Sequence, residues 1–322
     1  MEAVMAIIGE DLKNLELQFR KDLHSDVPLI RKVTEYVISS GGKRIRPMLL
    51  ILSAYLSGYR GDRHVPIASV IEFIHTATLL HDDVVDNANL RRGQASANTL
   101  WGNQASVLVG DFLYCRSFAL MVADGDLRIL KLLANATTVL AEGEVLQLIY
   151  MKNPAITEDQ YVDVVRCKTA ILLSAACQAG AIMGGIPPEQ EAALREFGME
   201  LGIAFQMVDD SLDYSASEEE FGKIIGHDLE EGKITLPLIH ALKLCSDEEK
   251  VKIAEVIRKD EITGDDFRMI FELVGRYGGI EYTLEMARKY TERSKKCLDI
   301  FNDSPEKAAL LNLADYIVTR VK

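Results

Sequence analysis

The chain has 322 residues, 48% of them hydrophobic, and a net charge of −13. That length can bury a large core as one big domain or two ordinary ones, while the acidic balance excludes nucleic acid or an anionic membrane surface as a general partner. Only 8 prolines, 7% aromatic residues and abundant Ala, Leu, Ile and Glu favour helices over sheets, so the expected fold class is all-α.

The N-terminus, MEAVMAIIGEDLKNLELQFRK, carries acidic residues where a signal peptide needs a basic start, and reads as an amphipathic helix to about Phe19-Arg20. A second helix follows Val27-Pro28 and breaks at Ser39-Ser40-Gly41-Gly42. Lys43, Arg44 and Arg46 cluster beside that break, and Pro47 fits the first turn of a helix through about Leu56. Gly58 to Pro66 reads as a surface loop, after which a central helix begins near Ile67. It ends in HDDVVDNANLRRG, where Asp82, Asp83 and Asp86 fall within a sector of about 100° and are expected to point the same way. Three like charges so placed call for a cation. Oxygen-only ligands suit a hard ion such as Mg²⁺, which fills its shell with water and substrate phosphates. Arg91 and Arg92 follow in a loop closed by Gly93 and offer planar donor forks to the same phosphates.

A helix is expected from about Asn103 to Val122, a turn at Gly125-Asp126, and another helix from Leu127 to Met151. Thr157 and Gln160 form a capping box for a helix that carries Lys168 and Thr169 into an uncharged stretch ending at Pro188. That stretch is the one segment resembling a membrane span, but Gln178 and Gly184-Gly185 interrupt it, and it reads as a helix buried on all sides. The helix from about Glu189 ends in AFQMVDDSLDY, so Asp209, Asp210 and Asp213 repeat the earlier spacing. One such acidic string is a weak signal; two, each closing an apolar helix, read as facing walls of a metal-diphosphate site. Ser215 to Lys233 is too polar to bury and long for a connection, with Lys223 and Lys233 placed to close over an anion. Several helices follow from Leu236, with start signals at Ser246/Glu249 and Ser304-Pro305. Cys115, Cys167, Cys177, Cys245 and Cys297 form no C-x-x-C pair and read as buried free thiols in a reducing compartment. No linker or low-complexity tract divides the chain, so residues 1–322 are expected to form a single domain.

GGKRIRP at Gly41 to Pro47, HDDVVDNANLRRG at His81 to Gly93, Lys168-Thr169, FQMVDD at Phe205 to Asp210 and GKIIGHDLEEGK at Gly222 to Lys233 resemble, in order, the motifs of the trans-type polyprenyl diphosphate synthases. The likeness spans roughly Gly41 to Pro237 and is nearest the bacterial long-chain members of octaprenyl type. It implies an isoprenoid-synthase-type helical bundle around a central cavity, as a homodimer; the reducing compartment read from the thiols makes the expected location cytoplasmic, and release of a long apolar product makes transient membrane contact expected. The resemblance further implies Mg²⁺ as cofactor, with isopentenyl diphosphate and an allylic prenyl diphosphate such as farnesyl diphosphate as substrates of a chain-lengthening condensation that supplies a quinone side chain.

By position, Asp82, Asp86 and Asp209 would be the principal Mg²⁺ ligands, completed by Asp83, Asp210 and Asp213. Arg91 would hold the allylic diphosphate; Lys43, Arg46, His75 and Arg92 match the isopentenyl diphosphate pocket; Lys168, Thr169, Gln206 and Lys233 match the allylic side, with Lys223 on the closing loop. No side-chain nucleophile is required, and the released diphosphate would take the proton. His227 and Ile234 depart from the Asp and Pro that related long-chain enzymes carry, which bears on loop closure. Ala77 and Thr78, one turn before the first motif, are small where short-chain relatives place a bulky floor, so a long prenyl chain has room to grow. The alternatives are a shorter-chain synthase, a class I terpene cyclase and a non-catalytic synthase subunit. The isopentenyl pocket counts against the cyclase, and two complete acidic motifs count against the subunit.

Overall fold

Helices α1 (Glu2–Asp22) to α4 (His64–Val85) lie where the sequence places them, with one shift, although none of the four has a side-chain N-cap. The helix α4 begins at His64, three residues before the expected Ile67, because Pro66 falls in its first turn, where no amide donor is needed. In this computed structural model residues 1–214, 226–259 and 262–319 are described. They form two compact units. The first combines Met1–Thr137, Ala175–Arg195 and Ile300–Asn312; the second combines Thr138–Ser174, Glu196–Asp299 and Leu313–Lys322. The expectation of an all-α chain is met: among the described residues the only strands are β1 (Leu90–Arg91) and β2 (Gln94–Ala95).

Those strands replace the loop expected at Arg91 to Gly93. Leu90 pairs with Ala95 and Arg91 with Gln94, leaving Arg92 and Gly93 as a two-residue turn. Both carry positive φ, 53° and 76°, the conformation that matches the twist of paired strands. Before the hairpin, α4 closes in a Schellman arrangement: Ala88 donates to the Asp83 carbonyl at 2.9 Å and Asn87 to that of Val84 at 3.3 Å. Asn87 takes the left-handed conformation (φ 51°) that this closure requires.

The first unit is built on α4 packed against α6 (Asn103–Asp124), with the short α5 (Ala97–Trp101) between them in sequence. Close approach depends on small residues. A Cβ on Gly110 would lie 2.3 Å from the His81 ring, and one on Gly180 would lie 2.6 Å from the backbone of α3 (Ile45–Leu56). The second unit's core gathers Ile203, Ala204, Met207 and Val208 of α10 (Pro188–Asp213) with Leu238, Ile239 and Ala241 of α12 (Leu236–Leu244) and buried residues of α13 (Asp247–Ile257), α14 (Gly264–Arg276) and α15 (Gly279–Cys297). The capping boxes expected at Thr157/Gln160 and Ser246/Glu249 are both present, and Ser304 caps α16 (Pro305–Thr319) by accepting from Lys307 at 3.1 Å.

Four expectations are corrected. The helix through Lys168 is not continuous: α8 (Glu158–Val165) passes through one π turn, Arg166–Ala170, into α9 (Ile171–Gly184). The membrane-like stretch has a rival. Buried α9 behaves as expected, but α6 is also long and apolar enough to cross a membrane, and only a third of its apolar window is buried. Its sequence disguises this by placing Asp111 and Arg116 inside the run. On that same uncovered helix Cys115 is exposed, so of the five free cysteines only Cys177 and Cys245 are fully buried. Within the segment expected to be too polar to bury, α11 (His227–Glu230) places Leu229 at 0% exposure. Lys223 lies outside the described residues.

Candidate active site

Each D-D-x-x-D run sits at the C-terminal end of a long helix, with no basic residue in the last turn. There the helix dipole is negative, so each added carboxylate costs about 0.3–1 kcal/mol in the absence of a cation. Two such clusters are poor ways to stabilise helices and good ways to attract a hard cation.

The spacing predicts three carboxylates on one side; the structure separates the middle one. Asp83 is 3% exposed and accepts from Arg91 Nε at 2.5 Å, whereas Asp82 and Asp86 stay half-exposed. Burial raises the Asp83 carboxyl above the usual range; Arg91 opposes the shift, and Asp82 and Asp86 reinforce it. The first motif thus spends one carboxylate on holding the arginine that the hairpin delivers.

Around His75 the first unit gathers cations. Burial, then Arg46, Arg92, Arg91 and Arg44, push its imidazole well below the ordinary value of 6.5, so it is neutral. Arg92 approaches the Gly41–Gly42 break closely: a Cβ on Gly42 would meet its Nη1 at 3.0 Å, so glycine there makes room for the guanidinium. Arg44, absent from the expected site, fixes this loop. It donates to Glu72 Oε1 at 2.7 Å, to Glu16 at 3.2 Å and to the Ile38 carbonyl at 3.1 Å, and lies 5.1 Å from the Phe19 ring centroid. Lys43 and Arg46 flank it in sequence. Ala77 is fully buried, and Thr78, 8% exposed, donates its hydroxyl to the His75 carbonyl at 2.7 Å.

The neutral His75 has a measurable consequence. Its folded pKa lies below its unfolded value, so the unfolded chain binds more protons just below the ordinary 6.5, and stability falls as pH drops through that window. His75→Asn is expected to flatten this acid limb, by up to about 1.4 kcal/mol per pH unit. Urea midpoints of wild type and variant between about pH 7 and about pH 5 check this; parallel limbs would remove His75 as the cause.

In the second unit the middle aspartate is again the buried one. Asp210, 2% exposed, accepts from Tyr161 Oη at 2.6 Å and from Gln206 Nε2 at 2.8 Å, and Gln206 Oε1 accepts from Thr169 Oγ1 at 2.8 Å. Burial and the nearby Asp228 push the Asp210 carboxyl up; its two donors partly offset this. Asp209 and Asp213 are half-exposed, and Asp213 accepts the Asp228 amide at 3.1 Å. Lys168 pairs with Glu144 and Lys233 with Glu231, each at 2.5 Å. Tyr161, Lys168, Thr169, Gln206, Asp210 and Lys233 line one cavity. Sequence reasoning missed Tyr161, Asp228, Glu144 and Glu231 as site residues; Glu231 stands two positions from Lys233, and Glu144 is a polar interruption of an apolar helical run. Among the described residues no cluster of three or more His, Cys, Asp or Glu is pre-arranged around a metal position. Mg²⁺ fits the donors nevertheless, since it typically takes one or two carboxylates and completes its shell with water and substrate phosphates.

A chain that ends two helices in aspartates and gathers arginines near a neutral histidine is built to hold polyanions beside a hard cation. The polyprenyl synthetase family model matches residues 27–274, and the chain belongs to that family. It is 44% identical over 323 residues to the octaprenyl diphosphate synthase of Escherichia coli K12, covering 99% of each chain. A crystal structure of a decaprenyl diphosphate synthase from Rhodobacter capsulatus superposes with a TM-score of 0.95 at 45% identity, covering 100% of this chain and 99% of that one. A polyprenyl synthase from Caulobacter crescentus CB15, complexed with calcium and isoprenyl diphosphate, also reaches 0.95 at 40% identity, covering 100% and 98%.

Proposed function

We propose that this protein is a long-chain trans-polyprenyl diphosphate synthase, extending an allylic diphosphate, farnesyl diphosphate in the first instance, by head-to-tail addition of isopentenyl diphosphate to octaprenyl length for a quinone side chain. The observation that carries the reading is the gathering of Arg46, Arg92, Arg91 and Arg44 near enough to His75 that, with burial, they hold its imidazole below the ordinary value. It is a cradle for a polyanion in a chain whose net charge is −13. Relatives named octaprenyl diphosphate synthase, from E. coli and Haemophilus influenzae at 44% and 41% identity, support the product class.

In this reading Lys43, Arg46, His75 and Arg92 bind isopentenyl diphosphate, and His75 contributes a neutral donor that does not repel the arginines. Arg91, aimed by Asp83, binds the allylic diphosphate, as do Lys168, Thr169, Gln206 and Lys233. Asp82 and Asp86 in the first unit, and Asp209 and Asp213 in the second, offer oxygens to Mg²⁺, with Asp83 and Asp210 behind them. The calcium bound to the Caulobacter relative supports a divalent cation. When bound, Mg²⁺ neutralises the diphosphate leaving group and assists its departure. The allylic carbon–oxygen bond breaks, the isopentenyl double bond forms the new carbon–carbon bond, and a proton is lost to the released diphosphate. Lys168 and Lys233 hold that diphosphate in place, so no side chain need act as nucleophile.

Residues 1–322 serve this reaction as a single polyprenyl synthase domain, acting as a cytoplasmic homodimer. Exposed apolar Leu108, Phe118 and Val122 on α6 support a partner subunit on that face. Release of a long apolar product calls for transient membrane contact.

The test is incubation of pure protein with farnesyl diphosphate, labelled isopentenyl diphosphate and Mg²⁺, then sizing of the chains; products stopping at geranylgeranyl length would overturn the long-chain assignment. Ala77→Tyr is expected to shorten the product by several isoprene units at unchanged primer use. Because Ala77 is fully buried, overpacking costs about 1–3 kcal/mol, so melting is followed alongside. A folded variant with unchanged chain lengths would remove Ala77 and Thr78 from the ruler.

A further inference from the structure

The π turn at Arg166–Ala170 does more than present Lys168. In an uninterrupted α-helix each residue advances about 100°, so Thr169, eight positions after Tyr161, would lie about 80° around the axis from it. One π turn accommodates an extra residue, takes back about 100°, and returns Thr169 to within about 20° of Tyr161. The two hydroxyls then meet the same face of α10, where Gln206 and Asp210 stand one turn apart: Thr169 with Gln206 at 2.8 Å, Tyr161 with Asp210 at 2.6 Å. Packing holds the turn in place. A Cβ on Gly143 of α7 (Leu127–Tyr150) would lie 2.8 Å from both Cys167 Cβ and Lys168 N.

We propose that Tyr161 is a positioning residue for the allylic-diphosphate side of the site: with the π turn, its hydroxyl fixes Asp210, and through Asp210 the Gln206 amide and Thr169. Gln206 spends its oxygen on Thr169 and one of its hydrogens on Asp210. That sets which way its amide faces the cavity these residues line. Without the Tyr161 hydroxyl, the 2%-exposed Asp210 keeps only one side-chain donor and swings to find another, releasing the amide.

This inference rests on the reading that Lys168, Thr169 and Gln206 meet the allylic substrate, so the experiment separates the two. Tyr161→Phe keeps the buried ring and removes the hydroxyl. Calorimetric titration with farnesyl diphosphate and Mg²⁺, with no isopentenyl diphosphate and hence no turnover, is expected to show about tenfold weaker binding. The KM for isopentenyl diphosphate should not move, and the melting temperature should fall only modestly, since Asp210 retains the Gln206 donor. Unchanged farnesyl diphosphate binding, or equal weakening of both substrates, overturns the inference, as does a variant that merely melts early. Gly143→Ala, which touches no substrate and displaces the π turn, is the second probe and should give the same selective loss. If wild type itself neither binds farnesyl diphosphate nor lengthens it, the functional reading fails instead.

Discussion

Asp82→Ala is expected to lower kcat about 10³-fold while leaving the melting temperature unchanged or slightly raised. Asp82 is half-exposed in the last turn of α4, next to Asp83 and one turn from Asp86. Removing it relieves like-charge repulsion and an unfavourable dipole contact, each worth a few tenths to about 1 kcal/mol. In turnover the balance reverses. Charge stabilisation of a leaving group by a metal supplies several kcal/mol, and losing about 4 kcal/mol of it corresponds to three decades in rate. A higher Mg²⁺ requirement should accompany the loss. Asp83→Ala is the informative contrast, since Asp83 is buried against Arg91: there, stability falls along with activity. Should Asp82→Ala unfold the protein, the acidic cluster is a structural feature and the metal assignment goes with it.

Much of the fold was legible because its determinants are local. Prolines at 28, 47 and 305, capping pairs at Thr157/Gln160 and Ser246/Glu249, and apolar helical runs mark the helix starts and ends within a few residues. The π turn was not legible, because RCKTA is ordinary helical sequence and its extra residue is held by contact with Gly143, 24 positions earlier. The hairpin at Arg91 to Gln94 was missed for a related reason: its turn places Arg92, not a typical left-handed residue, at φ 53°. Within the site, spacing located the aspartates but not their directions. Each middle carboxylate turns inward toward a partner that helix geometry cannot foresee, Arg91 from a hairpin and Tyr161 from another helix. One signal was available and unread: Glu72 stands in the apolar run that becomes α4, and a charge in such a place needs a buried partner.

That partner is Arg44, and Arg44→Ala is expected to destabilise the protein by about 3–5 kcal/mol, because it leaves Glu72 buried without its ion pair. The Glu16 contact contributes little, since Glu16 is half exposed to solvent; the lost bond to Ile38 and the stacking on Phe19 add to the effect. Urea unfolding measures the change, and a loss under about 1 kcal/mol would mean that Glu72 finds another donor. Pairing Arg44→Met with Glu72→Leu removes both charges and should recover most of the stability, as exchanges of buried ion pairs for apolar side chains of similar size commonly do. Substrate affinity should not recover with it. Arg44 holds the left-handed backbone (φ 50°) between Lys43 and Arg46 by tying the loop to α1, α2 (Pro28–Ser39) and α4 at once. A methionine there keeps the packing and loses all three ties. The double variant is therefore expected to melt like wild type yet show a KM for isopentenyl diphosphate raised about tenfold, which would separate holding the fold from holding the cradle.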